Sequence, residues 1–440
     1  LMRGPLHSRD VESASESIEP LFEPVTGTNG DGLASPLPGL ATRPARARPS
    51  RRRRWWLVVS AAFLRIRFAF LVYLGSRLIL VATAYINAAV SGHPVTHELL
   101  NWDGAWYQFL ALHGYPNYAY HAQSTLGFFP LYPMLIWVVS RPLLLFSPDA
   151  HLATAVAGIV ISVAGGLVAA VLVQRLATGW WGREGGRKAV ALFCLFPGSV
   201  VLLMAYAEGI VLPLAAGCIL ALQRRRFLLA GILAGLATAS EPEAVVLVLV
   251  CAVSALLHAR RQGWRGWPAW RGLSAPVLSL TGIGAFAAFL WAWTGTPFAS
   301  MIAQHYGWGE KTDPIAVFNL FHWLGDQIHF SHFNSHPTID LNLVIGAAGV
   351  LLLIPVLVML LKSRRRVSVE ALVWTAGIVF LAVTSEYTPP NPRLLVTAFP
   401  AVIVAAFYLG KRSFAAVLVI NGGLLALLSA LTFVGPTLRP

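Results

Sequence analysis

The sequence predicts an all-α polytopic membrane protein, a bundle of about 11 transmembrane helices with an interfacial helix in the first extracytoplasmic loop. Three observations predict it. Hydrophobic residues fill 56 % of the 440 positions and charged residues only 12 %, where a soluble domain carries about 25 % charge. Long apolar runs recur from residue 68 to the end, and mean hydropathy is +0.65. The net charge of +14 is gathered in short basic clusters between those runs. That placement sets membrane orientation; it argues against a nucleic-acid partner.

Residues 1–54 are rich in Pro, Ser, Gly and Glu and end in "RPARARPSRRRR". Such a composition buries no core, so a disordered basic tail is expected, with the arginine run on cytoplasmic lipid headgroups. No cleavable signal peptide is evident. Residues 55–434 then read as one transmembrane domain, followed by a short tail over 435–440.

Loop charge supplies the topology. Basic clusters fall at Arg175–Lys188, Arg224–Arg226, Arg260–Arg271, Lys362–Arg366 and Lys411–Arg412. Placing all of them in the cytoplasm requires an even number of crossings between neighbours. The runs 68–90, 152–174, 188–205, 210–223, 228–240, 244–258, 274–294, 340–361, 367–384, 394–410 and 413–434 meet that condition. They do so only if "FFPLYPMLIWVVSRPLLLF" does not cross. Its prolines at 130, 133 and 142 already favour a re-entrant or interfacial element. The first extracytoplasmic loop is therefore 91–151, and a second long one is 295–339. The cysteines Cys194, Cys218 and Cys251 lie inside apolar runs and read as small buried hydrophobes.

This topology sorts the acidic residues. Beyond the tail, all but Glu184 and Glu370 fall on the outer side. The same side receives "NWDGAWY" (101–107), "YAEG" (206–209), "SEPE" (240–243) and "SEYTPPNPR" (385–393). Polar groups at the ends of membrane helices are costly and mark function. An extracytoplasmic active site near the outer leaflet is expected.

In "NWDGAWYQFLALHGYP" (101–116), Trp102, Ala105, Trp106, Phe109 and Leu110 recur at helical spacing, an apolar stripe for a helix lying in the interface. Two readings of Asp103 stand side by side. Asp103, or Asn101, caps the helix; or Asp103 is a general base at headgroup depth.

These residues resemble a family. "NWDGAWYQFLALHGYP", followed by "GFFPLYP" (127–133) and "FPGSVVLLMAYAE" (196–208), is similar to the PIG-V-like mannosyltransferases of the GT-C glycosyltransferase superfamily. "SRL" (Ser76–Leu78) and "NPRLLVTAFP" (391–400) extend the likeness. The resemblance implies a GT-C-type bundle; the loop charges put its N-terminus in the cytoplasm, and the excess of arginine over lysine hints at a bacterium, so a bacterial plasma membrane is expected. The resemblance also implies transfer of a sugar, most often mannose, from a polyprenyl-phosphate donor to a glycolipid or glycan acceptor, with inversion. Asp103 becomes the base that deprotonates the acceptor. A phosphate leaving group needs no protein acid, so one carboxylate suffices where a glycosidase uses two.

The leaving phosphate needs positive charge. Outside, the cations are Arg141, Lys311, Arg393 and Arg439. Arg393, stiffened by Asn391 and its prolines, is the first candidate for the phosphate and Arg141 the second. Glu208, Tyr206, Trp102, Tyr107, Asn391 and His305 are expected to contact substrate. Arg77, mid-span, should pair with a carboxylate or face a polar cavity. Relatives place an arginine before the proline of "SEPE"; here Glu241 stands there. Histidines crowd 322–336, with His332 and His336 at metal-like spacing, yet no divalent metal or cofactor is expected. The long 295–339 loop reads as a lid or binding loop. The rival classes are a lipid or glycolipid transporter, disfavoured by the lack of internal symmetry, and a non-catalytic subunit, disfavoured by Asp103.

Overall fold

In the computed structural model, residues 51–119, 121–331, 340–386, 389–434 and 438–439 are described. The expected tail over 1–50 lies outside them. Two compact units are separated at Trp55/Trp56, and everything below concerns the second. The chain there is helical; among the described residues the one antiparallel bridge, Thr312 to Ser385, belongs to no strand.

The first helix, α1 (Arg51–Ser91), starts four residues inside the expected tail. Three short helices follow: α2 (Val95–Leu99), α3 (Asp103–His113) and α4 (Leu131–Leu143). With 13 residues, α4 is about 20 Å long, short of the ~30 Å hydrocarbon thickness. The Gln108 side-chain amide donates to the His151 carbonyl (2.7 Å), so the chain from 91 to 150 leaves one end of the bundle and returns to it.

Next comes α5 (Ala150–Leu195), two helices joined across a kink at Trp181 and Gly182, where glycine takes φ 72°. Its last turn runs into a 3-10 turn, Pro197–Leu202. Then follow α6 (Glu208–Gln223), α7 (Phe227–Thr238), α8 (Val246–Arg261), α9 (Gly266–Trp270), α10 (Ser274–Ser279) and α11 (Thr281–Thr294). The loop expected over 295–339 is largely helical. It carries α12 (Ala299–Ile302), a π-helical turn Ala303–Gly307 and α13 (Ala316–Ser331). His332 and His336 lie outside the described residues. The chain ends with α14 (Leu341–Ser363), α15 (Val369–Thr384), α16 (Pro392–Thr397), α17 (Phe399–Tyr408) and α18 (Lys411–Phe433).

Six of these stretches, among the described residues, are long and apolar enough to cross a membrane: 66–91, 150–195, 242–261, 266–294, 341–363 and 411–433. The shorter apolar helices α6, α7, α15 and α17 pack between them. The protein is a multi-pass membrane protein. Its basic clusters meet at one end of the bundle: Lys188 donates to the Leu409 carbonyl (2.9 Å), Gln223 to Ser368 (2.9 Å), and Arg366 lies over Phe407. At the opposite end of α6 and α7 lie Glu208 and Glu241, joined there by Asp103.

Close approaches set how that acidic end is built. A Cβ on Gly198 would overlap the Pro392 carbonyl, so the glycine of "FPGS" is what lets α16 lie against the 3-10 turn. A Cβ on Gly165 would likewise overlap Gly209, which is how α6 comes against α5.

Of the two environments expected for Arg77, a carboxylate partner is not found among the described residues. Arg77 is 4 % exposed and donates to the Ser199 carbonyl (2.7 Å), the Ser199 hydroxyl (2.9 Å) and the Cys194 carbonyl (3.4 Å). Those acceptors sit where α5 ends, and the negative end of a helix is a natural seat for a cation.

Candidate functional site

Four segments distant in sequence deliver charge to one point. Asp103 is the first residue of α3, Glu208 the first of α6, and Glu241 precedes the 3-10 turn Pro242–Val245. Each carboxylate therefore sits at a helix start, where unpaired N–H groups and the helix dipole favour negative charge. Arg393, in the first turn of α16, lies among all three. Its Nη1 donates to Asp103 Oδ2 (2.5 Å), its Nε to Glu208 Oε1, and its Nη2 to Glu241 Oε1 (3.4 Å). Three of the five guanidinium N–H groups are used in this way.

Exposure separates the three carboxylates. The Glu208 and Glu241 side chains are 0 % and 3 % exposed, whereas Asp103 is 27 % exposed. Burial pushes the Glu241 carboxyl well above the usual carboxylate range, reinforced by Glu208 and Glu243 and opposed by Arg393.

The surrounding shell is aromatic. Tyr206 is fully buried; its hydroxyl accepts the Asp103 N–H (3.2 Å), and its ring lies 4.9 Å from the Arg393 guanidinium carbon. Ser162 holds Tyr206 by its backbone (2.9 and 3.2 Å) and also meets the Tyr132 hydroxyl (2.8 Å). Tyr132 belongs to "GFFPLYP", and the neighbouring Leu131 N–H donates to the Ala239 carbonyl just before "SEPE" (2.9 Å). The proline-rich box is thus a brace tying α4 to α5 and to the end of α7. Burial raises the hydroxyls of Tyr107 and Tyr206 well above their usual range, which keeps both neutral donors.

Asp103 is set by its neighbours. The residue before it, Trp102, adopts φ 62°, a backbone region that costs a non-glycine residue of order 1–3 kcal/mol. The Trp102 indole donates to the Thr432 carbonyl (3.4 Å) and Asn101 to the Phe433 carbonyl (2.9 Å), anchoring this strained link to the end of α18. No side chain caps α3. The cap reading of Asp103 and Asn101 is therefore overturned: Asn101 grips α18, and Asp103 turns to Arg393.

Several other expectations change. Tyr107 and Tyr206, expected to touch substrate, are buried; Tyr107 stands edge-on to Phe128 and Tyr132. Asn391, 8 % exposed, caps α16 by accepting the Leu394 N–H (2.9 Å), and so aims Arg393. Trp102 is half-buried against α18. Arg141 is exposed, stacked on Trp137 (4.2 Å) within the last turn of α4, and does not join the Arg393 cluster. His305 is exposed on the π-helical turn, against Tyr306. The apolar stripe divides: Phe109 is exposed and Ala105 with it, but Leu110 is buried, and the protein-facing side of α3 is Gly104, Tyr107, Leu110 and Ala111.

One participant was missed. Glu241 looked like a loss, an arginine replaced, and is instead the third acid on Arg393. Trp308 of "HYGW" packs edge-on against Trp106 (5.1 Å) and Phe128 (5.5 Å), while its indole donates to the Ser124 carbonyl (3.3 Å). A few residues on, Asp313 donates its N–H to the Thr384 carbonyl (2.7 Å). The 303–313 stretch thus links the Asp103 loop to the segment leading to Arg393. Beside it lies a cavity of about 510 Å³ whose lining includes Lys311, Trp323, Asp340, Asn391 and Arg439.

No curated protein matches the chain. Among solved structures it is similar to the oligosaccharyltransferase of Archaeoglobus fulgidus in the apo form, at 14 % identity and a TM-score of 0.49, over 84 % of this chain and 56 % of that one. It is also similar to ArnT from Cupriavidus metallidurans bound to undecaprenyl phosphate, at 16 % identity and a TM-score of 0.45, over 78 % and 62 %. The chain thus covers less than two thirds of the length of either. Residues 71–260, which span Asp103, Glu208 and Glu241, match the model of the Mannosyltransferase (PIG-V) family, and over that segment the resemblance read from the motifs holds.

Proposed function

We propose that this chain is a GT-C-type membrane glycosyltransferase that moves a sugar, mannose in the first instance, from a polyprenyl-phosphate donor to a hydroxyl of a lipid-linked or cell-envelope glycan. The match to the mannosyltransferase family over 71–260 supports the reaction class. One observation supports the mechanism most directly. Of the three carboxylates on Arg393, Asp103 alone is substantially open to an incoming molecule.

In this reading the Asp103 carboxylate takes the proton of the acceptor hydroxyl as its oxygen attacks the anomeric carbon. The bond from that carbon to the phosphate oxygen breaks on the opposite face, and the phosphate leaves with the electron pair, inverting the centre. Arg393 fixes the carboxylate that does the work, and its remaining N–H groups face the leaving group. Glu208 and Glu241 hold the guanidinium in place. The cavity beside Asn391 offers room for part of a substrate. The acidic end faces the outer leaflet of a bacterial plasma membrane, with the basic clusters cytoplasmic.

The test is transfer of radiolabelled mannose from polyprenyl-phosphate mannose in membranes carrying wild type, Asp103→Ala or Asp103→Asn. Loss of a general base costs roughly 10²–10⁴ in rate. Full transfer by both variants would end the assignment. Cysteines placed at 148–151 should label from the outer face; labelling from the cytoplasm alone would reverse the orientation.

A further inference from the structure

Glu243, which the scheme above does not use, lies in the same cluster as Glu208 and Glu241. One carboxylate oxygen from each of the three falls within 4.8 Å of the others. Arg393 engages Oε1 of Glu208 and Oε1 of Glu241. Their second oxygens, Glu208 Oε2 and Glu241 Oε2, are buried and meet no donor among the described residues, and the same holds for Glu243 Oε1. Unsatisfied buried acceptors cost of order 1–3 kcal/mol each, and more when charged. Three in one place call for a shared partner.

Charge makes the same point. Asp103, Glu208 and Glu241 engage the single guanidinium of Arg393 and Glu243 lies beside Glu208 and Glu241; counted as carboxylates, the four carry a formal excess of three negative charges. A phosphate leaving group would be repelled by that field. A divalent cation lowers the excess to one. Oxygen-only donor sets of this kind suit hard cations such as Mg²⁺ or Mn²⁺.

We infer that Glu208, Glu241 and Glu243 form a binding site for a hard divalent cation, with Glu243 a ligand that Arg393 does not share. In octahedral coordination three protein oxygens leave three positions for water or phosphate oxygens. Within the proposed transfer reaction, that cation adds to the positive charge the leaving phosphate meets, since the carboxylates leave only two N–H groups of Arg393 for it. The expectation of no metal rests on the resemblance to a superfamily many of whose enzymes work without one, and the sequence does not report that residue 208 meets 241 and 243.

The experiment reads binding apart from catalysis. The purified full chain in lipid nanodiscs is stripped with EDTA and titrated with Mn²⁺, and the free Mn²⁺ signal is followed by electron paramagnetic resonance. Wild type should bind one Mn²⁺ saturably. Glu243→Gln and Glu241→Gln should weaken binding at least tenfold, and Glu243→Asp should recover part of it. Asp103→Asn, which should abolish transfer, should keep binding within threefold of wild type. Absence of saturable binding by wild type overturns the site and leaves a shared proton as the compensation. So does binding that survives Glu243→Gln but is lost in His97→Ala, which would move the ion to the His93, His97 and Glu98 group. Transfer without Mn²⁺ binding sinks this inference alone; Mn²⁺ binding without transfer sinks the proposed function alone.

Discussion

Two arginines in this protein, Arg77 buried and Arg393 partly buried, invite comparison. Arg77 meets neutral oxygens at the end of α5, and each of its three strong acceptors belongs to the backbone or a serine. Arg393 meets three carboxylates and is outnumbered by them. The first arrangement closes a helix end and has no acid near enough to react. The second is overcharged and partly open, which is unfavourable for stability and useful for chemistry. Burial of a charge alone therefore does not mark a site; the surplus of opposite charge and one exposed member do.

The largest effect should come from Arg393→Met. Removing one partner of a buried ion pair costs about 3–5 kcal/mol because the other charges stay behind. Thermal unfolding in detergent should show a marked drop, and Glu208→Gln on the same chain should restore part of it. Arg77→Met should also destabilise, by about 1.5–3 kcal/mol for hydrogen bonds lost from a charged donor. Here Glu208→Gln should bring no recovery. Rescue of both arginine variants by the same glutamine would erase the distinction between them.

A smaller effect is expected from Gly198→Ala. The added methyl must push the Pro392 carbonyl away and displace α16 with its arginine. Transfer per folded molecule should fall roughly tenfold, as misplacing a catalytic group by a fraction of an ångström does, with only a modest change in melting temperature. Arg141→Ala should be nearly silent in the same assay, within about threefold, since its guanidinium rests on an exposed tryptophan. A large loss there would return Arg141 to the site.

Much of this was legible in the sequence because polar residues are rare in it. Asp103, Glu208 and Arg393 stood out as charges at the ends of apolar runs, and loop arginines placed them on one side. The interruption of "FFPLYPMLIWVVSRPLLLF" by prolines anticipated a helix too short to cross. Other features were illegible for physical reasons. A tyrosine that contacts substrate and one that braces a neighbour look alike in sequence, so Tyr107 and Tyr206 needed their burial to be known. Glu241 read as a missing arginine because spacing does not say which side chains share a centre. For Asp103 the cap reading stood beside the base reading because the backbone turn at Trp102, which carries the link past the capping geometry, has no glycine to announce it.

The order in which the chain is made gives the Arg393 cluster a further consequence. The ribosome delivers Asp103, Glu208 and Glu241 first, and the countercharge comes 152 positions after Glu241. Until α16 arrives, two acids destined for burial have no cation to answer them, so they must wait protonated or at the membrane surface. Closure of the site is thus a late event of biogenesis, and a chain truncated before residue 393 should carry an open, acid-lined defect that quality control can read.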